Sequence, residues 1–287
     1  MPTADLRGTS RFDRVIRKAV PSISRLTFNP VFKAVVNAAD WPFRLIWPPF
    51  RSLPPNYMRL RVGVGNRIFN NQVVFLTAAI NQWIELLSSG AVRLDSTIVD
   101  IGCGCGRTAH ILRDYAANSG RFTGTYIGVD IDEEMLAWCR KHYDDRFRFH
   151  LSTDASKSYH REGENAPYRI PEPDGCADLV RSSSLFTHLL EEQANNYLRE
   201  SFRLLRSGGT FVHSIFCMDY PPPTLGGRHT FSHRMGNAYV ESLSQPEAAV
   251  AYSEAVITNI ARSAGFVEVT IRHAPGAWQA SLVGRKP

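Results

Sequence analysis

The stretch Thr97-Ile98-Val99-Asp100-Ile101-Gly102-Cys103-Gly104-Cys105-Gly106-Arg107 decides the reading of this chain. Its first half, Thr97 to Gly102, is an apolar run that predicts a buried strand, and its second half alternates glycine with small residues. Residues without a Cβ permit a tight turn from strand into helix and let a ligand approach the main chain. In open α/β sheets, ligands collect at the carboxyl ends of strands near the point where strand order reverses. The spacing Gly-x-Gly-x-Gly departs from the Gly-x-Gly-x-x-Gly of dinucleotide sites. Asp130 ends the next strand-like run, 28 positions after Gly102 (130 − 102). A carboxylate there can accept hydrogen bonds from both hydroxyls of a ribose.

Strands and helices alternate outward from this turn. Upstream, Val73, Leu76, Ile80, Ile84 and Leu87 recur at helical spacing, predicting an amphipathic helix over Gln72–Leu87 that ends at Gly90. Downstream the expected elements are a helix from Arg107 to Asn118, a strand from Tyr126 to Asp130, a helix from Glu133 to Tyr143 and a strand from Arg146 to Ser152. A Pro/Gly-broken loop from Ala155 to Gly175 precedes a strand at Ala177–Ser182 and a helix at Glu191–Leu205, stopped by Gly208-Gly209. Thr210–Cys217 reads as a strand, Asp219–Gln245 as irregular, and Pro246–Ala264 as a helix. Phe266–His273 and Trp278–Gly284 read as strands, and their short Pro-Gly connection can only join an antiparallel pair. The expected fold class is therefore α/β: a doubly wound, seven-stranded, mostly parallel sheet with an antiparallel C-terminal strand.

At these residues the chain resembles the class I S-adenosylmethionine-dependent methyltransferases, of the bacterial small-molecule type. Asp100 to Arg107 is similar to their first motif, and Gly128-Val129-Asp130-Ile131-Asp132 with Met135-Leu136 to the second. Asp154-Ala155 resembles the adenine-recognition position, Asp178 through Leu189 the fourth-strand motif, and Leu204 to Gly209 the turn before the fifth strand. The resemblance spans about residues 95 to 285. It implies S-adenosyl-L-methionine as cofactor, with S-adenosyl-L-homocysteine as product. It places Gly102, Cys103, Gly104 and Gly106 around the methionine part and Asp130 on the ribose. Ile131 would pack on adenine, Asp154 and Ala155 would meet its amino group, and Ser182 would border the site.

Methyl transfer from a sulfonium needs alignment and water exclusion more than covalent help. A hydroxyl acceptor also needs a base, and His188, after the fourth strand, is the candidate; the bland alternative is a helix-start histidine bonded to backbone. Asp219, Tyr220, His229 and His233 lie after the fifth strand, where ordinary loop roles compete with catalytic ones, and His213 within that strand reads as core. Ser183 stands where metal-dependent catechol-type enzymes carry an acid, so no metal is expected. Ser182-Ser183-Ser184-Leu185 replaces the Asn/Asp-Pro-Pro-aromatic signature of base methylation in nucleic acid, which disfavours that substrate. The implied function is methylation of a small-molecule acceptor, on oxygen, in natural-product or glycan/lipid tailoring. A protein or RNA methyltransferase and a non-catalytic binding scaffold stand as alternatives.

Net charge is +6 over 287 residues, but residues 1–70 hold 12 Lys/Arg against 3 Asp/Glu, +9, which leaves −3 for the rest. The expected division is a basic, aromatic N-terminal arm at 1–70 and a catalytic domain at 71–287. Phe28 to Phe50 mixes Phe32, Trp41, Phe43 and Trp47 with Pro30, Pro42, Pro48 and Pro49, and so many prolines argue against one long helix. Basic charge beside aromatics suits a membrane surface, while capping the main domain or meeting a partner protein is the competing reading. Arg59 and Arg61 could close over the cofactor. Met1–Ser10 is polar with no apolar run behind it, no segment reaches the ~18 to 20 apolar residues of a membrane span, and five cysteines show no disulfide or zinc spacing. A cytoplasmic setting is the expectation, with a location peripheral to the membrane as its variant.

Overall fold

In the computed structural model, which describes residues 26–62, 71–114, 116–117, 120–153, 167–220, 229–274 and 277–287, prolines do not stop the first helix. Helix α1 (Pro30–Ile46) begins at Asn29, whose side chain accepts the Phe32 amide, and Pro30 occupies the first turn, where no donor is needed. It runs through Pro42 to Ile46, overturning the expectation that the prolines exclude a long helix. Pro42 and Ala38, whose carbonyl loses its partner, both lie on the solvent face, where water replaces the missing bond. A 3-10 turn at Pro48–Ser52 follows, then α2 (Asn56–Arg61), α3 (Asn71–Ser88) and α4 (Arg107–Asp114). The described residues up to Glu85, with Cys105–Asp114, form one compact unit.

This unit is held by a buried ionic network. The Asp40 carboxylate accepts from Arg59 Nη2 at 2.6 Å, from Arg44 Nε at 2.6 Å and from Gln72 Nε2. Arg59, fully buried, also donates to Asn71 Oδ1 at 2.8 Å and to the Pro54 carbonyl at 2.5 Å. Arg61 donates to the Thr27 carbonyl at 2.9 Å and lies 3.9 Å over the Phe28 ring. Both arginines make these bonds inside the helical unit. A second correction concerns α3. Its inward residues are Phe75, Ala79, Trp83 and Leu86, while Val73, Ile80 and Ile84, the expected inner face, are exposed. The helix is apolar on two sides, and the side bearing Phe75 and Trp83 wins because aromatic rings bury the larger area. Trp83 Nε1 also gains the Thr108 carbonyl at 3.1 Å.

Leu86–Gly104 and Tyr115–Pro287 make the second unit. Strands β1 (Thr97–Ile101), β2 (Thr125–Asp130), β3 (Phe147–Leu151), β4 (Ala177–Ser182) and β5 (Leu205–Cys217) lie in the order β3-β2-β1-β4-β5, all parallel. After β6 (His233–Met235), β7 (Ala238–Val240) and β8 (Val250–Tyr252) come β9 (Val267–Arg272) and β10 (Ala280–Arg285). β10 is antiparallel both to β5, over Thr210–Ile215, and to β9, so the mostly parallel sheet with a reversed C-terminal strand is present. One sheet face, including Val99, Ile101, Val129 and Val180, packs with residues of α6 (Glu191–Leu204) and α7 (Glu254–Ser263). Helix α5 (Glu133–His142) meets β3 through Arg140 Nε on the Phe149 carbonyl.

Further details differ from expectation: the sheet has ten strands where seven are expected, and the helix expected to reach Asn118 ends at Asp114, with Ala116–Ala117 extended. Gly208-Gly209 does not end an element: it lies in a bulge inside β5, where pairing jumps from Ala177–Leu205 to Leu179–Thr210. The irregular stretch after Asp219 contains the hairpin β6–β7, turning at Gly236 with φ +59°. The expected helix over Pro246–Ala264 divides into a 3-10 turn at Pro246–Ala248, β8, and α7. Ser253 accepts the Val256 amide and so sets the start of α7, while Ala251 and Tyr252 are drawn alongside Phe216 and Cys217 of β5.

Candidate functional site

The glycine turn lies at the carboxyl end of β1, between β2 and β4, where strand order reverses. Gly102, Gly104 and Gly106 have φ of +77°, +55° and +74°, left-handed values that a β-carbon disfavours. The turn is stitched to β2: the Gly102 and Cys103 amides donate to the Val129 carbonyl at 2.7 and 3.1 Å, and the Gly104 amide donates to Asp130 Oδ2 at 2.7 Å. Asp130 Oδ1 accepts the Asp132 amide at 3.0 Å, and with the Ile131 amide also on the carboxylate there is still acceptor capacity for a ligand. Burial pushes this carboxyl up to about 6, against the amides of Asp132, Gly104 and Ile131, which favour its charge. Cys103 is buried, and Ile131 is half-buried just past the strand tip. Asp154 and Ala155 lie outside the described residues.

Behind the turn stands a group that the motif alone does not expose. Asp100 Oδ2 accepts from Tyr126 Oη at 2.6 Å and Arg181 Nη1 at 2.7 Å, all three side chains buried. Asp100 Oδ1 is buried with no hydrogen-bond partner among the described residues. An unsatisfied buried acceptor is costly. The available signal was an arginine in the strand Ala177–Ser182, in register with an aspartate of β1. Left-handed glycines, spare carboxylate lone pairs at the neighbouring strand tip and this orphaned oxygen together fit a ligand with hydroxyl and ammonium donors, the donor set of S-adenosylmethionine.

The segment after β4 is fixed from several sides. The Ser182 hydroxyl is within 2.9 Å of His213 Nδ1, and Ser201 Oγ lies 3.2 Å from Nε2 of the same ring. Complete burial drives His213 down to about 3, so it is a neutral core residue, as its strand position suggested. Phe186 stacks on it at 4.4 Å. Ser182 thus turns its side chain to the core and has only its main chain left for the site. Ser184, with φ +58°, is pinned by its amide to Ser214 Oγ at 2.6 Å and by its hydroxyl to Gln279 at 3.1 Å. Leu185 lies against Gly102, 3.4 Å from where a β-carbon would stand.

His188 ends the short helical turn Phe186–His188 and contacts the Glu247 carbonyl through Nδ1 at 2.8 Å. A carbonyl only accepts, so Nδ1 carries the proton and Nε2 is the lone-pair nitrogen. Desolvation lowers the pKa of this ring below the ordinary histidine value. His229 lies in electrostatic range and belongs with Phe216 and Phe231, ring centroids 5.5 and 5.6 Å away. Asp219 accepts the Glu254 amide at 2.6 Å at the start of α7, and Tyr220 bonds Glu254 at 2.9 Å and stacks on His273 at 5.3 Å. These two have loop-fixing roles. His233 is exposed on β6.

A family profile described as a methyltransferase domain matches residues 99–213. A chloroplastic methyltransferase of Arabidopsis thaliana is 30% identical over 142 residues, covering 50% of this chain and 37% of its own length. An arsenite methyltransferase of Aquipseudomonas alcaligenes is 29% identical over 120 residues, 41% of this chain and 32% of its own. The matches thus span about a third of those proteins' length. Among solved structures, the PH0226 protein from Pyrococcus horikoshii aligns over 84% of this chain and 99% of its own with a TM-score of 0.50 at 15% identity, a likeness of fold. Residues 99–213 of this chain form a class I S-adenosylmethionine-dependent methyltransferase domain.

Proposed function

We propose that the chain transfers a methyl group from S-adenosylmethionine to a hydroxyl of an apolar or aromatic small molecule, with His188 as the proton acceptor. The observation that carries this reading is the place of His188 in the turn after β4, held through Nδ1 by the Glu247 carbonyl, with burial lowering its pKa so that the ring is neutral. The cofactor supplies an electrophilic methyl on a sulfonium that departs as a neutral thioether. Gly102, Cys103, Gly104 and Gly106 would cradle its methionine part, Asp130 the ribose, Ile131 the adenine, and the main chain of Ser182 the site's edge. Asp154 and Ala155 would complete the adenine side. Asp100, positioned by Tyr126 and Arg181, would offer its free oxygen to the ammonium. His188 would take the proton of the acceptor hydroxyl, so that charge would not build on that oxygen. The aromatic cluster of Phe216, His229 and Phe231 would give the acceptor side an apolar character suited to such a molecule.

Calorimetry with S-adenosylmethionine and S-adenosylhomocysteine, followed by transfer of labelled methyl into pools of phenolic, sugar and lipid alcohols, tests the proposal. Micromolar cofactor binding with label recovered as a methyl ether is expected. Absence of binding overturns the whole reading, and label recovered on nitrogen or in protein overturns the acceptor assignment.

A further inference from the structure

Helix α1 is amphipathic with its sides exchanged. Val36 and Asp40 are buried on the inner face. Val31, Val35, Trp41, Leu45 and Ile46 point to solvent, Trp41 being 61% and Ile46 78% exposed, and Trp47 just beyond is 57% exposed. The outward positions between them are alanine and proline, so the apolar strip runs the length of the helix, about 25 Å at 1.5 Å per residue. A contiguous apolar surface of this kind marks a docking site.

Charge identifies the occupant. Asp40 is the sole acidic residue between Leu26 and Val62, and it is buried beneath Arg44, Arg59 and Gln72. No exposed carboxylate therefore borders the strip within this segment. Arg51 is exposed and donates to the Arg44 and Leu45 carbonyls at 3.0 and 3.3 Å, which sets its guanidinium at the end of α1 that also carries Trp47. Residues 1–25 add six Lys/Arg against two Asp in sequence. Tryptophans and branched aliphatics on one face, flanked by cations without acids, match the boundary between headgroups and acyl chains. There indoles sit at the interface and cations meet phosphates. No helix among the described residues is long and apolar enough to cross a membrane. We propose that the outer face of α1 lies flat on an anionic phospholipid bilayer, Trp41, Ile46 and Trp47 inserted among the lipids and Arg51 at the phosphates.

The test uses the full chain with vesicles of phosphatidylcholine alone or with about one-third phosphatidylglycerol. Co-sedimentation is expected with the anionic vesicles, weakening as salt is raised, and little with the neutral ones. Trp41→Ala combined with Ile46→Asn, both at exposed positions, should lower partitioning at least about tenfold while leaving the melting temperature and S-adenosylhomocysteine affinity unchanged. Brominated lipid should quench tryptophan fluorescence of the wild type and much less that of Trp41→Phe with Trp47→Phe. No partitioning of the wild type, or equal partitioning of the double variant, overturns the proposal. A lipid-free dimer by light scattering that the double variant converts to monomer also overturns it, because the face then belongs to a second copy.

Discussion

The amide of Gly104 donates to the carboxylate of Asp130 across 2.7 Å, tying the glycine turn after β1 to the tip of β2. The same carboxyl group titrates at about 6, because burial opposes its charge. Ribose hydroxyls favour the ionised form, so protonation competes with cofactor binding. Affinity for S-adenosylhomocysteine should be constant above pH 7 and fall about tenfold by pH 5. Asp130→Ala should weaken binding by about 2 kcal/mol, roughly thirtyfold, and remove that pH dependence. Calorimetry across the pH range checks both.

Gly104→Val places a branched side chain on a residue with φ +55°. The left-handed backbone costs about 1–2 kcal/mol for an L-residue, and the side chain enters the space a ligand needs. Binding heat should disappear while circular dichroism still reports a folded protein. Retained affinity would place the cofactor elsewhere.

His188→Ala should reduce turnover by about two orders of magnitude with cofactor affinity unchanged. Since the pKa of this ring is lowered by burial, the acid limb of the wild-type rate profile should fall below the ordinary histidine value of about 6.5. Steady-state kinetics against pH, alongside a binding isotherm, separate a base from a purely structural histidine.

His213 tests the core independently of catalysis. Its folded-state pKa of about 3 lies below the unfolded value, so the unfolded chain gains a proton first as pH falls. Its contribution to stability is present above about pH 6.5 and lost below it, by up to about 1.4 kcal/mol per pH unit. Urea denaturation at pH 7 and pH 5 should show a smaller pH difference for His213→Gln than for the wild type.

Asp40→Ala removes the common acceptor of Arg44, Arg59 and Gln72. It leaves Arg59 buried and uncompensated, a loss of about 3–5 kcal/mol for the helical unit. Loss of that size should show as a lower-temperature transition in scanning calorimetry.

The parallel sheet was legible because its punctuation is local. Ala177–Ser182 forms β4 with the expected ends, and Glu191–Leu204 differs from expectation by one residue, since glycines and a clear change of period mark both. The Gly102–Gly106 turn and Asp130 were legible for the same reason. Orientation was not. In α3 both faces are apolar, so periodicity could not tell Phe75 and Trp83 from Val73 and Ile84. The partner that fixes the His188 tautomer is a main-chain carbonyl 59 residues away, which carries no side-chain signature. Strands β6 to β8 are three residues each, too short for a period to register.

Strand β5 has a divided allegiance: Thr210–Ile215 pair with β10, while Phe216 and Cys217 pair with β8. The sheet's cohesion thus depends on the first stretch, and the last two residues steer a separate three-stranded flap that also carries the Glu247 carbonyl into reach of His188. Ala238 and Val240 of the β6–β7 hairpin are buried in the same core as Val99 and Ile101, so a change in the hairpin reaches the sheet itself. Under the proposed function, the acceptor side would be knitted into the main core and not merely appended to it.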